Sequence, residues 1–220
     1  MKQVLIGFAQ EGPTDIRFLE SIIQRTFEDV AFECDGSVEV LPIQTFKKIR
    51  DAAFVDVMLS YAKQSYECGL MVLCIHVDAD DINDENVFIY KILPAFEHVQ
   101  YANDEVCKNL VAVVPVRMTE AWMLADIDLL KSELGTSKNA SELGIAKKPE
   151  EYADPKTAIE EAIRIACADL PARRRHKFTI AELYQPIGQK IQLNRLEQLP
   201  AYQKFKQAVR EAYRKLNYLR

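Results

Sequence analysis

The chain has 220 residues, 49% of them hydrophobic and 28% charged, with a formal net charge of −5, so a folded globular protein with one substantial core, or one domain with a helical appendage, is expected. Its five cysteines are odd in number and form no C-x-x-C pair, which argues against a disulfide framework and a thiolate zinc site. No apolar run approaches the roughly 18 residues of a membrane span and the first residues lack the pattern of a signal peptide, so a soluble cytoplasmic protein with no membrane partner is expected.

The net charge hides an asymmetry. Residues 1–137 carry 11 Lys and Arg against 23 Asp and Glu, whereas residues 138–220 carry 17 against 10. An acidic front and a basic back suit a cation-binding region beside one that faces phosphates. Solvated Lys/Arg faces on C-terminal helices would account for the basic half equally well.

In chain order, short β-rich runs alternate with helix-period runs. "QVLIGFA" (3–9) reads as a strand, and residues 14–28 as a helix whose Phe18, Leu19, Ile22, Ile23 and Phe27 form one apolar face. "VEVLPI" (38–43), a helix over 46–66, "LMVLCIHV" (70–77), a helix over about 85–98 and "LVAVVPV" (110–116) follow. Near-continuous apolar strands are what a parallel sheet covered on both faces requires. The expected fold class is therefore α/β, an open, mostly parallel sheet flanked by helices over residues 1–126. A helical C-terminal extension over 127–220 should pack on it, with a polar, mobile loop at about 135–156.

Ligands of open α/β sheets bind at the carboxyl ends of the strands. The first strand ends in Glu11-Gly12-Pro13-Thr14-Asp15, the third in "HVDADD" with Asp78 and Asp80, and the fourth in "VPVRMTEAWMLAD" with Arg117 and Glu120. Like charges brought together are relieved by protons or a bound cation, and hard oxygen ligands select Mg²⁺ or Mn²⁺. If D-A-D stays extended, Asp78 and Asp80 share one side. Each piece also has a plainer explanation: Asp15 as a helix-dipole partner, D-x-D as a solvated acidic loop, Glu120 as the first residue of an amphipathic helix, and Arg117 as a salt-bridge partner of these carboxylates. Co-occurrence at three strand ends favours a metal site at Glu11, Asp15, Asp78, Asp80 and Glu120.

With these elements in order, the chain resembles the TOPRIM fold family, shared by topoisomerases, bacterial primases and the overcoming-lysogenization-defect nucleases. That resemblance places the family's glutamate at Glu11 and its D-x-D at Asp78 and Asp80, and the acidic residue of the nuclease branch at Asp15. More narrowly, "EGPTDIRFL", "HVDADD", "VRMTEAWMLAD" and "LYQPIGQKIQLNRLEQLPAYQKF" resemble a bacterial TOPRIM-like family often encoded beside ABC/SMC-type ATPases in phage-defence clusters. The resemblance implies a Mg²⁺- or Mn²⁺-dependent nuclease with Glu11, Asp78 and Asp80 as catalytic groups and an ABC/SMC-type ATPase acting in trans; Arg117 is added to the catalytic groups as the candidate to steady the phosphate, DNA is expected before RNA, and a homodimer is compatible with the sequence. The nuclease branch's later acidic and lysine motifs have no clean counterpart, so the roles of Glu120 and Arg117 are inferred from position alone.

The run "ARRRHK", with Arg173, Arg174, Arg175 and Lys177, is the candidate contact to backbone phosphates. His76, one strand position before "VDAD", reads as a hydrogen-bonded core residue, and Trp122 as a buried helix residue. No G-x-x-x-x-G-K-[ST] loop occurs, which excludes P-loop ATP hydrolysis by this chain. A non-catalytic adaptor that docks an ATPase, and a small-nucleotide phosphohydrolase, are the competing readings.

Overall fold

A computed structural model describes residues 2–10, 12–49, 51–102, 105–168 and 178–220. Among them the elements in chain order are β1 (Lys2–Val4), β2 (Ile6–Ala9), α1 (Pro13–Ala31), β3 (Val38–Val40), β4 (Gln44–Thr45), α2 (Phe54–Glu67) and β5 (Val72–His76). Then come α3 (Glu85–Val87), a π-helical turn (Phe88–Ile92), α4 (Leu93–Tyr101), β6 (Leu110–Val113), α5 (Glu120–Met123) and α6 (Ile127–Leu134). The C-terminal part adds α7 (Pro155–Ala166), α8 (Tyr184–Lys190), α9 (Leu193–Leu196) and α10 (Pro200–Lys215). No helix among the described residues is long and apolar enough to cross a membrane.

The fold is α/β with parallel sheets flanked by helices, as the alternation of apolar strands and amphipathic helices predicts. Four strands form one sheet in the order β4-β2-β5-β6, and every ladder is parallel. The first strand is split at Leu5, whose carbonyl accepts from the N–H groups of Met71 and Val72; its first half, β1, pairs instead with β3. Successive residues of a strand point to opposite faces, and both faces here are apolar. Val72 and Cys74 of β5 with Val111 and Val113 of β6 face a core shared with α1 and the C-terminal helices, while Leu73, Ile75, Leu110 and Ala112 face a second core under α2 and α4.

α1 runs longer than its periodic stretch, because Pro13 suits the first helical turn and Asp15 accepts the Gly12 N–H. α2 begins only at Phe54, eight residues later than the sequence pattern places it. Of the C-terminal helices, α8 and α10 lie on α1. Gly188 of α8 meets the α1 backbone so closely that a Cβ there would lie 2.5 Å from the Phe18 carbonyl oxygen. The Arg25 guanidinium completes the joint by donating to the carbonyls of Gly188 and Ile191, both at 2.7 Å, at the end of α8. The segment expected to be a mobile polar loop is pinned to the core by Leu143, Ile145 and Tyr152. Its apolar residues are too sparse to show a period, yet these three fill places in the core.

A candidate carboxylate site at the strand ends

β2, β5 and β6 end at the same edge of the sheet because the parallel register aligns Ala9 with Ile75 and His76 with Val113. Glu11 follows β2 directly but lies outside the described residues. Asp15, in the first turn of α1, turns back on its own helix start: its Oδ2 accepts the Gly12 N–H at 2.7 Å. This bond is the helix-start role that the plainer reading gives Asp15.

Asp78 sits two residues past β5. Its Oδ1 accepts the Thr119 backbone N–H at 2.9 Å, which ties the end of β5 to the segment after β6. Thr119 is 1% exposed, and its hydroxyl lies 3.2 Å from His76 Nε2 and within 3.5 Å of oxygens of both Asp78 and Asp15. His76 is fixed from the other side by Val113, whose carbonyl lies 3.1 Å from Nδ1. A carbonyl only accepts, so Nδ1 carries the hydrogen, and in the neutral ring Nε2 accepts the Thr119 hydroxyl. Nε2 also approaches Asp78 at 3.5 Å and Asp15 at 3.8 Å. His76 is thus the hydrogen-bonded core residue expected, with its edge turned to two carboxylates.

Asp80 departs from the expectation for D-A-D. The extended backbone stops before it: Asp80 has φ +54° and is exposed, whereas the Asp78 side chain is three-quarters covered. The two carboxylates therefore do not share one face by strand alternation. Arg117 is also left-handed, with φ +63°. The Asp80 N–H donates to the Arg117 carbonyl at 2.9 Å, and the Arg117 N–H to the Asp81 carbonyl at 3.2 Å. Two non-glycine residues in this conformation, locked to each other, are a costly arrangement of the kind that clusters at functional sites. The Arg117 Nε is buried and has no hydrogen-bond partner among the described residues.

Glu120 opens α5 and is 7% exposed. A buried carboxylate needs a donor, and Tyr184 of α8 supplies one by giving its hydroxyl hydrogen to Glu120 Oε1. Burial, then the bond to Glu120 and the charges of Glu120 and Asp15, push the Tyr184 phenol well above its ordinary range. Tyr184 stays a donor across the physiological range. It lies within "LYQPIGQK", a stretch whose spacing shows no link to the strand ends; only the packing of α8 on α1 brings it there.

Asp126 is a helix cap, accepting the Leu129 N–H at 3.0 Å. Asp84 is buried and paired with Lys204 of α10, at 2.6 and 2.8 Å. Asp81 is held below the usual carboxylate range by the Ile82 N–H and the Asn86 amide. Trp122 is fully buried against Tyr202 and Phe205, with ring centroids 5.5 and 6.3 Å away. Arg173, Arg174, Arg175 and Lys177 lie outside the described residues.

The structure thus brings Asp15 and Asp78 to His76 and Thr119, ties Glu120, next in the chain, to Tyr184, and sets Asp80 and Arg117 on the turns beside Asp78. The donors are hard oxygens, which fit Mg²⁺ or Mn²⁺ and not a thiophilic ion. Among the described residues no group of three or more His, Cys, Asp and Glu side chains is arranged to hold a metal ion, and Glu11 is not among those residues. Comparison with protein-family models, with curated proteins and with solved structures gives no match.

Proposed function

We propose that this chain is a divalent-metal-dependent phosphodiesterase of the TOPRIM kind that cuts nucleic acid in the cytoplasm, DNA before RNA, as the effector of an ABC/SMC-type ATPase supplied in trans. One observation supports the reading: Asp15 and Asp78, from two chain segments, both approach the Thr119 hydroxyl and His76 at the carboxyl edge of a parallel sheet, and Glu120, next in the chain to Thr119, is held by Tyr184.

Glu11, Asp15 and Asp78 would hold Mg²⁺ or Mn²⁺, with Asp80 and Glu120 as the ligands of a second ion. When bound, such ions supply an activated water and neutralise charge on the phosphate. The protein's own groups do the rest. Thr119 holds Asp78 in place, His76 holds Thr119, and Tyr184 fixes the rotamer of Glu120. Arg117 presents a planar fork that matches phosphate oxygens, and its buried, unpartnered Nε is in keeping with a group waiting for an anion.

The test is titration of Mn²⁺ and Mg²⁺ into the wild type, Asp78→Asn and Asp15→Asn, with plasmid and RNA cleavage assayed in the same buffers. Metal binding with cleavage in the wild type, and loss of both in Asp78→Asn, is the expected result. Cleavage that appears only when the ATPase is added would support the coupled form of the reading. Folded protein that takes up no metal at millimolar concentration would overturn it in favour of an adaptor.

A further inference from the structure

The sheet divides the interior in two, with α1 and the C-terminal helices over one face and α2 and α4 over the other. A groove of about 510 Å³ is nevertheless walled from both sides, by Ile92 and Phe96 of the second core and by Ala201 and Phe205 of the first. The two faces can meet only beyond an edge of the sheet. The groove therefore runs along β6, the last strand, and its floor is Leu110, Ala112 and Val114, the last of these one residue past the strand.

The register shows what that floor lacks. The Leu73 N–H donates to the Asn109 carbonyl and the Val77 N–H to the Val113 carbonyl, so the odd-numbered residues along β6 serve β5. The even-numbered ones turn their N–H and C=O groups the opposite way. Those of Leu110, Ala112 and Val114 reach no hydrogen-bond partner among the described residues, although all three residues are buried. Buried backbone groups need partners, and a row of unpaired donors and acceptors at strand spacing is a template for one more strand.

Two further observations select the occupant. Ile89 and Leu93 at the rim are exposed while the floor residues are buried, so the edge is recessed between its helical walls. Two recessed edges cannot reach each other, whereas a single extended segment can enter. At the mouth Asp84 is paired with Lys204, and Glu85 beside it is exposed with no ion pair among the described residues. The groove thus carries one carboxylate more than it has cations. Successive side chains of an inserted strand point to opposite walls, and both walls are apolar.

We infer that the β6 groove takes up an extended segment of a partner protein as a fifth strand of the sheet, apolar at successive positions and carrying a lysine or arginine at one end for Glu85. The inference goes beyond the phosphodiesterase reading and does not rest on it.

The experiment is titration of two acetylated, amidated hexapeptides, with lysine before or after Val-Ala-Val-Ala-Val, into the full chain, read by calorimetry and by backbone hydrogen exchange. The expected result is saturable binding of at least one peptide, with the Ala112 and Val114 amides exchanging about tenfold or more slowly in the complex. N-methylation of alternate peptide residues should abolish binding in one register and be tolerated in the other, because only one set of N–H groups faces β6. Glu85→Lys, a surface change, should weaken binding by about tenfold. Ala112→Pro removes an N–H that β5 does not use, a place where an edge strand tolerates proline, and should abolish binding with circular dichroism unchanged. No saturable binding of either peptide at millimolar concentration, unchanged amide exchange, or unchanged affinity in Glu85→Lys would each overturn the inference. Equal binding by both N-methylated forms would overturn it in favour of a small apolar ligand. A chain that sediments as a dimer, and as a monomer after Ala112→Pro, would overturn it in favour of a second copy.

Discussion

The Tyr184 hydroxyl donates to Glu120 across 64 residues of chain, and through this bond a C-terminal helix holds the carboxylate that opens α5, after β6. Tyr184→Phe should leave Glu120 buried without its donor and cost about 1–3 kcal/mol. The sign with pH follows from the raised phenol. A proton held more tightly in the folded state contributes stability that is fully present below the phenol's ordinary pKa of about 10 and is lost as pH rises beyond it. The melting-temperature gap between wild type and Tyr184→Phe should therefore be widest near neutral pH and narrow in alkaline buffer. A gap that grows above pH 10 would contradict this account.

Thr119 acts on Asp78 through its backbone and on His76 through its hydroxyl. Thr119→Val keeps the shape and the N–H but removes the link to the imidazole, whereas Thr119→Ser keeps both. The valine variant should lose roughly 10–100-fold in metal affinity, the range found for partners that orient metal ligands, and the serine variant should recover most of it. Equal losses in both would assign Thr119 to packing alone.

Asp80 sits at φ +54°, a conformation that costs a non-glycine residue roughly 1–2 kcal/mol. Asp80→Gly should raise the melting temperature, or leave it unchanged where the looser unfolded chain offsets the gain, and should reduce cleavage. Stability and activity moving in opposite directions would mark the turn as held for function. A variant that is both less stable and fully active would show that the carboxylate serves the fold.

Gly188→Ala places a methyl carbon 2.5 Å from the Phe18 carbonyl oxygen. Backbone cannot swing aside like a side chain, so α8 must shift and the cost should reach about 1–3 kcal/mol or more. Because α8 carries Tyr184, denaturant unfolding should show the loss while metal affinity falls as well. An alanine variant as stable as the wild type would mean that α8 is free to move on α1.

The fold class was legible because strands buried on both faces must be apolar throughout, and "LMVLCIHV" and "LVAVVPV" are. The start of α2 was not. Phe46 and Ile49 fit a helical period, yet Phe46 is buried against the sheet beside Gly7 and the chain stays extended there. Asp15 and Asp78 could be picked out because short-range chemistry writes them next to strand ends. Tyr184 could not, since nothing local to "LYQPIGQK" refers to Glu120.

The amino-acid sequence by itself determined the alternation of apolar strands and amphipathic helices, and it placed acidic residues where three strands end. Both are local properties, set by side-chain periodicity within a few residues. Tertiary structure alone decided which carboxylates face each other. It turned Asp80 out through a left-handed backbone, turned Asp78 in toward Thr119 and His76, and brought Tyr184 to Glu120 by seating Gly188 on Phe18. Those outcomes depend on hydrogen bonds and close contacts between segments far apart in the chain, whose partners exist only after the helices have packed.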